Sequence, residues 1–511
     1  MSTKRKVLQG SASNIVRVLL SMLVSLVLPP FLVHRLSAAE YSAWVLILQL
    51  GAYAGLLDLG LQTAIGKFVA EHDAAGDREA SHHLVSTSFT ILSIAALISV
   101  AGLLVLVTQV PALFRQMPAA LLPEFRLGVF AVGLSTAVTL PFGTFSSIFT
   151  GLQKYAYPTV VAITSRVGSA AALIILLLLH GGLVQMALVM ALFNVATGLA
   201  QFVGWRNYAR ERVAFSFLVF HRRSAVRLVK YGSVLSLWTL ATLLISGLDT
   251  VIVGHYDYKN TGFYAIASSA TNVMLVLVTS VFGPLLPALS SMQARSTPKQ
   301  LGELCIRITR YCVLALCLLG LPLFFGSYPL LSLWVGRSYA AHSALYVEVL
   351  VVGNVIRQLA LPYVIAVVAT GKQHLATIAA VAEASVNIVL SIWLVQKFGA
   401  IGVAIGTVAG AIVSVAVHLL VSMPYTRSTI LVDRSSYLAA GLLRPLLTTA
   451  PSLCLLFFWR KYSMLPAAPP ILALWAVLTL VLAWWVGLSA EDRQLGKTAV
   501  TRVLNWRREP V

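Results

Sequence analysis

Apolar residues in this chain come in long runs separated by short polar gaps. A helix rises about 1.5 Å per residue, so roughly 20 consecutive apolar residues cross a hydrocarbon layer. By that measure the chain holds fourteen candidate spans, at 14–33, 43–63, 84–109, 125–147, 157–180, 182–204, 231–254, 262–287, 305–326, 344–368, 375–396, 399–422, 437–458 and 470–488. No run alternates polar and apolar residues at the two-residue period of a strand, which excludes a β-barrel. The pattern predicts an all-α integral membrane protein.

The gaps carry an internal echo. Thr150-Gly151-Leu152-Gln153 returns as Thr370-Gly371-Lys372-Gln373, a displacement of 220 residues. The same shift lays Phe31-Leu32-Val33 on Val251-Ile252-Val253, and Ser42-Ala43-Trp44 on Gly262-Phe263-Tyr264, without a gap. Separate stretches at one displacement, each between apolar runs, indicate a duplicated unit. Six spans per unit is an even number, so the copies share one orientation, related by an axis along the membrane normal. The expected organisation is a first lobe over residues 1–212, a second over 213–430, and two further helices with a basic tail over 431–511.

Composition sharpens this picture. The 511 residues are 59% hydrophobic and 11% charged, with mean hydropathy +0.87. A soluble protein covers itself with charges at about a quarter of its residues, so most of this surface must face lipid. The excess of 37 Lys and Arg over 17 Asp and Glu does not point to nucleic acid, because the basic residues lack interleaved base-stacking aromatics. It reads as a topology signal. With the N-terminus cytoplasmic, and with Arg126, Arg307, Arg310 and Arg444 near span ends counted with the adjoining loops, 26 basic residues fall on the inner side and 8 on the outer. Arg17, Arg166 and Arg357 are left inside spans. A bias of about threefold over short loops fixes both ends in the cytoplasm. The longest basic gap, Arg206 to Lys230, joins the two copies. It is expected to lie on the inner leaflet, drawn to anionic headgroups at about 1 kcal/mol per basic residue.

Other features are exclusions. Lys4-Arg5-Lys6 before an apolar run resembles a secretory signal, but the run is too long and contains Arg17, so it is read as a retained first span. Cys305, Cys312, Cys317 and Cys454 lie in apolar runs without metal-binding spacing and are expected to be small core residues. His72 and Asp77 stand in a charged, solvated loop. Tyr155, Tyr157, Trp205, Tyr208, Trp459 and Tyr462, at span ends, are expected as interface anchors. No stretch outside the spans is long enough for a catalytic head, and no phosphate-binding G-x-x-x-x-G-K-[ST] loop is present.

Several motifs resemble one family. Arg35-Leu36-Ser37-Ala38-Ala39-Glu40-Tyr41 is similar to the first outer loop of polysaccharide flippases of the multidrug/oligosaccharidyl-lipid/polysaccharide superfamily. Leu57-Asp58-Leu59-Gly60-Leu61 with Phe68-Val69-Ala70-Glu71 and Gly76-Asp77 resembles the end of that family's second span and its loop. Gly151-Leu152-Gln153 matches the loop between its fourth and fifth spans. Asp249-Thr250-Val251-Ile252-Val253-Gly254 with Gly262-Phe263-Tyr264-Ala265 resembles the opening of its second half. The resemblance covers about 430 residues; a departure is Ser42, where the family usually has glycine. It implies fourteen helices with two six-helix lobes in a V around a central cavity, located in the bacterial inner membrane. It further implies transport of undecaprenyl-diphosphate-linked oligosaccharide from the cytoplasmic to the periplasmic leaflet for surface polysaccharide synthesis. Glycosyltransferases and a polymerase of the same pathway are the implied partners. No cofactor is expected beyond coupling to H+ or Na+.

A diphosphate headgroup crossing the bilayer needs cations at membrane depth, where each is otherwise unfavourable by about 2.5–3.5 kcal/mol. Arg166 lies roughly 14 Å into the fifth span, and Arg357 is near the middle of the tenth. Arg17 is about one turn inside the first and shares a polar stripe with Asn14, Ser21 and Ser25; both a cavity role and snorkelling to the interface stand open for it. Glu383, at the depth of Arg357 on the adjacent helix, forms a stripe with Asn387 and Ser391. Two readings stand for that pair: a structural ion pair, or one opened by the diphosphate with Glu383 taking a proton or Na+. Asp58 and Asp249 are expected near span ends at the interface. Thr239, Thr242 and Ser246 extend a stripe that would let Asp249 line an outward mouth. The rival functions are a drug antiporter, whose cavity should favour acids, and a membrane-embedded glycosyl- or acyltransferase, which needs larger outer loops.

Overall fold

The computed structural model describes residues 3–58, 60–217, 219–293, 295–462, 468–488 and 492–494, and within them omits the side chains of 3–17, 19, 233–239, 241, 242, 246, 462, 468 and 469. The described residues are almost wholly helical, with no strand. Twelve helices among them are long and apolar enough to cross a membrane. These are Ala38–Ala75, Arg78–Leu113, Ala119–Thr139, Ala156–Leu178, Leu183–Tyr208, Tyr258–Gln293, Pro298–Phe325, Arg337–Ala369, Gln373–Phe398, Ala400–Tyr425, Arg434–Lys461 and Pro470–Gly487. Shorter apolar helices at Leu20–Arg35 and Leu243–Tyr256 occupy the positions of the first and seventh expected spans. In chain order these segments are called the first to fourteenth spans below.

The chain packs as two compact units, Met1–Ile266 with Ser391–Val403, and Ala267–Leu390 with Ala404–Val511. In the first unit Phe68, Phe145, Phe149 and Trp205 share a core with Ile65 and Leu84. In the second, Cys305, Cys312, Leu316, Tyr363 and Tyr437 form one core, and Trp459 with Trp475 a smaller one. Small residues let helices approach where lipid supplies no hydrophobic drive between them. Gly51 of the second span is such a point, since a Cβ there would overlap the Val132 side chain of the fourth. Large apolar side chains such as Leu97, Leu179, Leu192 and Leu420 are exposed, as a lipid-facing surface requires.

The echo in sequence is also one of structure. The fourth span breaks after Thr139 and resumes at Gly143; the tenth breaks after Gln358 and resumes at Leu361. Each resumed helix ends in the repeated Thr-Gly-x-Gln turn, and each turn is closed by a lysine reaching the end of another span. Lys154 Nζ donates to the Tyr208 carbonyl at 3.1 Å, and Lys372 Nζ to the Tyr425 carbonyl at 2.8 Å. Ser42 and Gly262, equivalent under the 220-residue shift, touch directly: the Gly262 N–H donates to Ser42 Oγ at 3.0 Å.

Three expectations need correction. Trp205 and Trp459 are buried rather than interfacial. Trp205 Nε1 donates to the Val213 carbonyl, and Trp459 fills the space left by Gly326. Tyr155 and Tyr208 are exposed, as anchors should be, while the Tyr462 side chain lies outside the described residues. Cys305, Cys312 and Cys317 are buried, but Cys454 is exposed. Finally, helix extends beyond residue 63 but not without interruption: Ala38–Tyr53 tightens over Ala54–Asp58, and a separate helix, Leu61–Ala75, starts behind Gly60, whose φ of 67° is left-handed.

Candidate functional site

Arg357 lies in the last turn of the helix Arg337–Gln358. Pro362 forces that ending, since it lacks an N–H and its ring would clash with the carbonyl of Gln358. A cation is favoured there by the partial negative charge of the helix C-terminus. Its Nε donates to Glu383 Oε1 in a short ion-paired contact, and Nη1 donates to Asn354 Oδ1 at 2.9 Å. Nη2 is buried and has no acceptor among the described residues. Glu383 is 3% exposed, and Asn387 and Ser391 on its stripe are fully buried. Gly410 of the twelfth span seals this turn: a Cβ there would stand 3.0 Å from the Glu383 carbonyl oxygen and 3.1 Å from Asn387 Cβ. The arrangement is a guanidinium held by a carboxylate and an amide oxygen, with Nη2 buried and without an acceptor among the described residues.

Arg166, in the other unit, is different. It is exposed, and its Nη2 lies 3.5 Å from Ser25 Oγ of the first span. The fifth and first spans therefore share a polar face, on the stripe that the sequence assigned to Ser21 and Ser25. The side chain of Arg17 lies outside the described residues.

The acids separate as well. Asp58 is half-buried in the tightened stretch within the 38-residue second span, facing the Gln62 N–H at 3.4 Å. It is the last residue of that stretch, just ahead of the left-handed Gly60 where a separate helix begins. Asp249 is 6% exposed and accepts from the Tyr264 hydroxyl at 3.2 Å. The seventh span breaks at Gly247, whose carbonyl accepts from the Tyr53 hydroxyl at 2.5 Å. That break interrupts the helical spacing which put Asp249 on a stripe with Thr239, Thr242 and Ser246; those three side chains lie outside the described residues. Asp249 instead opens a new helix, where the N-terminal dipole favours its charge.

The family model for polysaccharide biosynthesis proteins matches residues 7–293. The chain belongs to this family. Its fold is shared with solved transporters. With the lipid II flippase MurJ in an inward closed conformation the TM-score is 0.67 at 15% identity, covering 93% of this chain and 98% of that one. With an inward-facing multidrug resistance MATE family transporter of the MOP superfamily it is 0.60 at 16%, covering 81% and 94%. With a mutant of the Vibrio cholerae MATE transporter VcmN it is 0.57 at 16%, covering 83% and 97%. No curated protein matches in sequence. Family and fold together support a membrane translocase rather than an enzyme.

This polysaccharide biosynthesis protein also holds ionic groups that sequence reading missed. Asp492, beyond the last span, is buried against Arg310 at 2.6 Å and Arg307 at 3.0 Å on the ninth span. Arg310 Nε also donates to the Ala440 carbonyl. Glu348 of the tenth span accepts from Ser327 Oγ at 2.8 Å and pairs with Arg460 at 3.2 Å. The spacing of Arg307 and Arg310 put both on one helix face, but nothing local named their partner. His72 lies not in a loop but in the last turn of the helix Leu61–Ala75, while Asp77 caps the third span through the Ala80 N–H at 2.9 Å.

Proposed function

We propose that the protein carries undecaprenyl-diphosphate-linked oligosaccharide from the cytoplasmic to the periplasmic leaflet by alternating access. Both termini are cytoplasmic, and residues 1–212 and 213–430 act as the two lobes, with 431–511 appended. The observation that supports this most is Arg357, a cation within a span whose Nη2 is buried without an acceptor among the described residues. A buried, unpaired donor is unfavourable by about 1–3 kcal/mol, more for a charged group, and a phosphate oxygen would relieve it with a charge-assisted bond. Arg166, exposed beside Ser25, is the second diphosphate contact, and Arg17 the third. Glu383 holds Arg357 in place and accepts a coupling proton or Na+ when the phosphate arrives; Asp249 and Asp58 are the further coupling candidates. A MATE-like exporter of small molecules is the second reading, favoured by the fold likeness to multidrug transporters.

The test is glycan export in cells lacking the native flippase. Arg166→Ala and Arg357→Ala each abolish export while the protein remains inserted at wild-type level. Normal export by both variants would end the diphosphate assignment. Glu383→Gln changes the ion dependence of export; an unchanged dependence would make the pair structural.

A further inference from the structure

The sixth span ends at Tyr208, and the next helix starts at Arg222. The described backbone between them is held at several points. Trp205 Nε1 donates to the Val213 carbonyl at 2.9 Å, the Ser216 N–H to Ser86 Oγ at 3.0 Å, and the His221 N–H to Thr87 Oγ1 at 2.9 Å. Phe215 packs its ring against Phe89, Phe145 and Trp205 at centroid distances of 5.0, 5.3 and 5.6 Å. The connector is thus a shelf pinned to the third span.

Its arginines divide into two sets, with the acid Glu211 exposed between Arg210 and Arg212. Arg212 pairs with Asp73 at 3.9 Å, and Arg227 pairs with Glu71 at 2.5 Å while its guanidinium covers the Phe68 ring. Arg206, Arg210, Arg222 and Arg223 are exposed and form no ion pair among the described residues. Between them stand exposed apolar and amphipathic side chains: Tyr208, Phe217, Phe220, Val226 and Val229. A purely solvated basic face would not expose two phenylalanines and two valines beside its arginines. Cations next to exposed apolar groups suit the boundary of a bilayer, where phosphates meet the first methylenes.

We infer that this shelf binds the headgroups of anionic phospholipids, Arg206, Arg210, Arg222 and Arg223 meeting the phosphates and Phe217, Phe220, Val226 and Val229 entering the acyl boundary. Charge complementarity commits it to lipid carrying net negative charge. The inference rests on the proposed topology only for which leaflet supplies the lipid. It is read by lipid retention, not by export, so either can fail alone.

The full chain is purified in neutral detergent, mixed with phosphatidylglycerol or phosphatidylcholine, and examined by native mass spectrometry. The wild type retains phosphatidylglycerol in preference. Each arginine removed in Arg206→Gln/Arg210→Gln and in Arg222→Gln/Arg223→Gln weakens that retention about fivefold, leaving phosphatidylcholine unaffected. The pair Arg115→Gln/Arg126→Gln, near the opposite end of the third span, leaves both unchanged. Arg222→Lys/Arg223→Lys, which keeps charge and shelf, retains phosphatidylglycerol like the wild type. No preference in the wild type, an equal loss in the Arg115/Arg126 pair, or a loss in the lysine variant would each overturn the inference.

Discussion

Replacing Arg357 by Met removes the cation but keeps much of its length. Glu383 is then left at 3% exposure with its ion-pair partner gone. Breaking one side of a buried pair destabilises by about 3–5 kcal/mol, because the remaining charge is uncompensated. The value belongs at the lower end here, since the Arg357 side chain is 19% exposed and water screens part of the pair. Glu383→Gln is milder: Gln can still accept from Nε, and Asn354 still holds Nη1. The double variant Arg357→Met/Glu383→Gln has no orphaned charge and regains most of the lost stability, since buried pairs replaced on both sides are often near neutral. Unfolding in mild detergent, followed by tryptophan fluorescence, gives the four corners of the cycle. A coupling of at least about 1 kcal/mol is expected for groups in contact. Export is measured on the same four proteins, and the double variant stays inactive although stable. Additive stability changes would refute the coupling. Wild-type export by the double variant would refute the role of Arg357 in transport and leave the pair as packing.

Three further outcomes follow from other contacts. Ser42→Ala removes the acceptor of the Gly262 N–H and destabilises by about 1–3 kcal/mol, read as a lower unfolding midpoint; Ser42→Thr, which keeps the oxygen, loses less. Asp492→Asn leaves Arg310 and Arg307 without their carboxylate and lowers stability by about 3 kcal/mol, with limited proteolysis releasing the tail faster. The Asp433 carboxyl, between the twelfth and thirteenth spans, is held down to about 2 by hydrogen bonds from Ser435 and Ser436. A depressed carboxylate stabilises the fold above its unfolded value of 3.8 and loses that contribution as pH falls toward 2. The unfolding midpoints of wild type and Asp433→Asn therefore converge in that window, and a constant gap across it would contradict the assignment.

Much of this was legible in the sequence for a physical reason. Lipid imposes length and apolarity on every span, so the positions of the helices could be read directly. The Arg357–Glu383 pair was legible because both residues are inside spans that are adjacent in the chain, and matched depth left few other partners. The Asp492 clamp was not, since its partner Arg310 is 182 residues away and the acid lies outside any span. The break at Gly247 escaped because an apolar run looks continuous whether or not its backbone turns. Trp205 and Trp459 misled because an indole at a span end suits an interface and a buried niche equally well, and the packing partners decide: Phe145, Phe202 and Phe215 enclose Trp205, and Gly326 makes room for Trp459.

The meeting of Ser42 with Gly262 has the form of a dyad contact in a homodimer, where a position faces its own counterpart. Here both positions lie in one chain, so they can differ, yet their contact ties their sizes together. A Cβ on Gly262 would stand 3.0 Å from both Ser42 Oγ and the Tyr41 ring, so bulk gained at one position must be surrendered at the other.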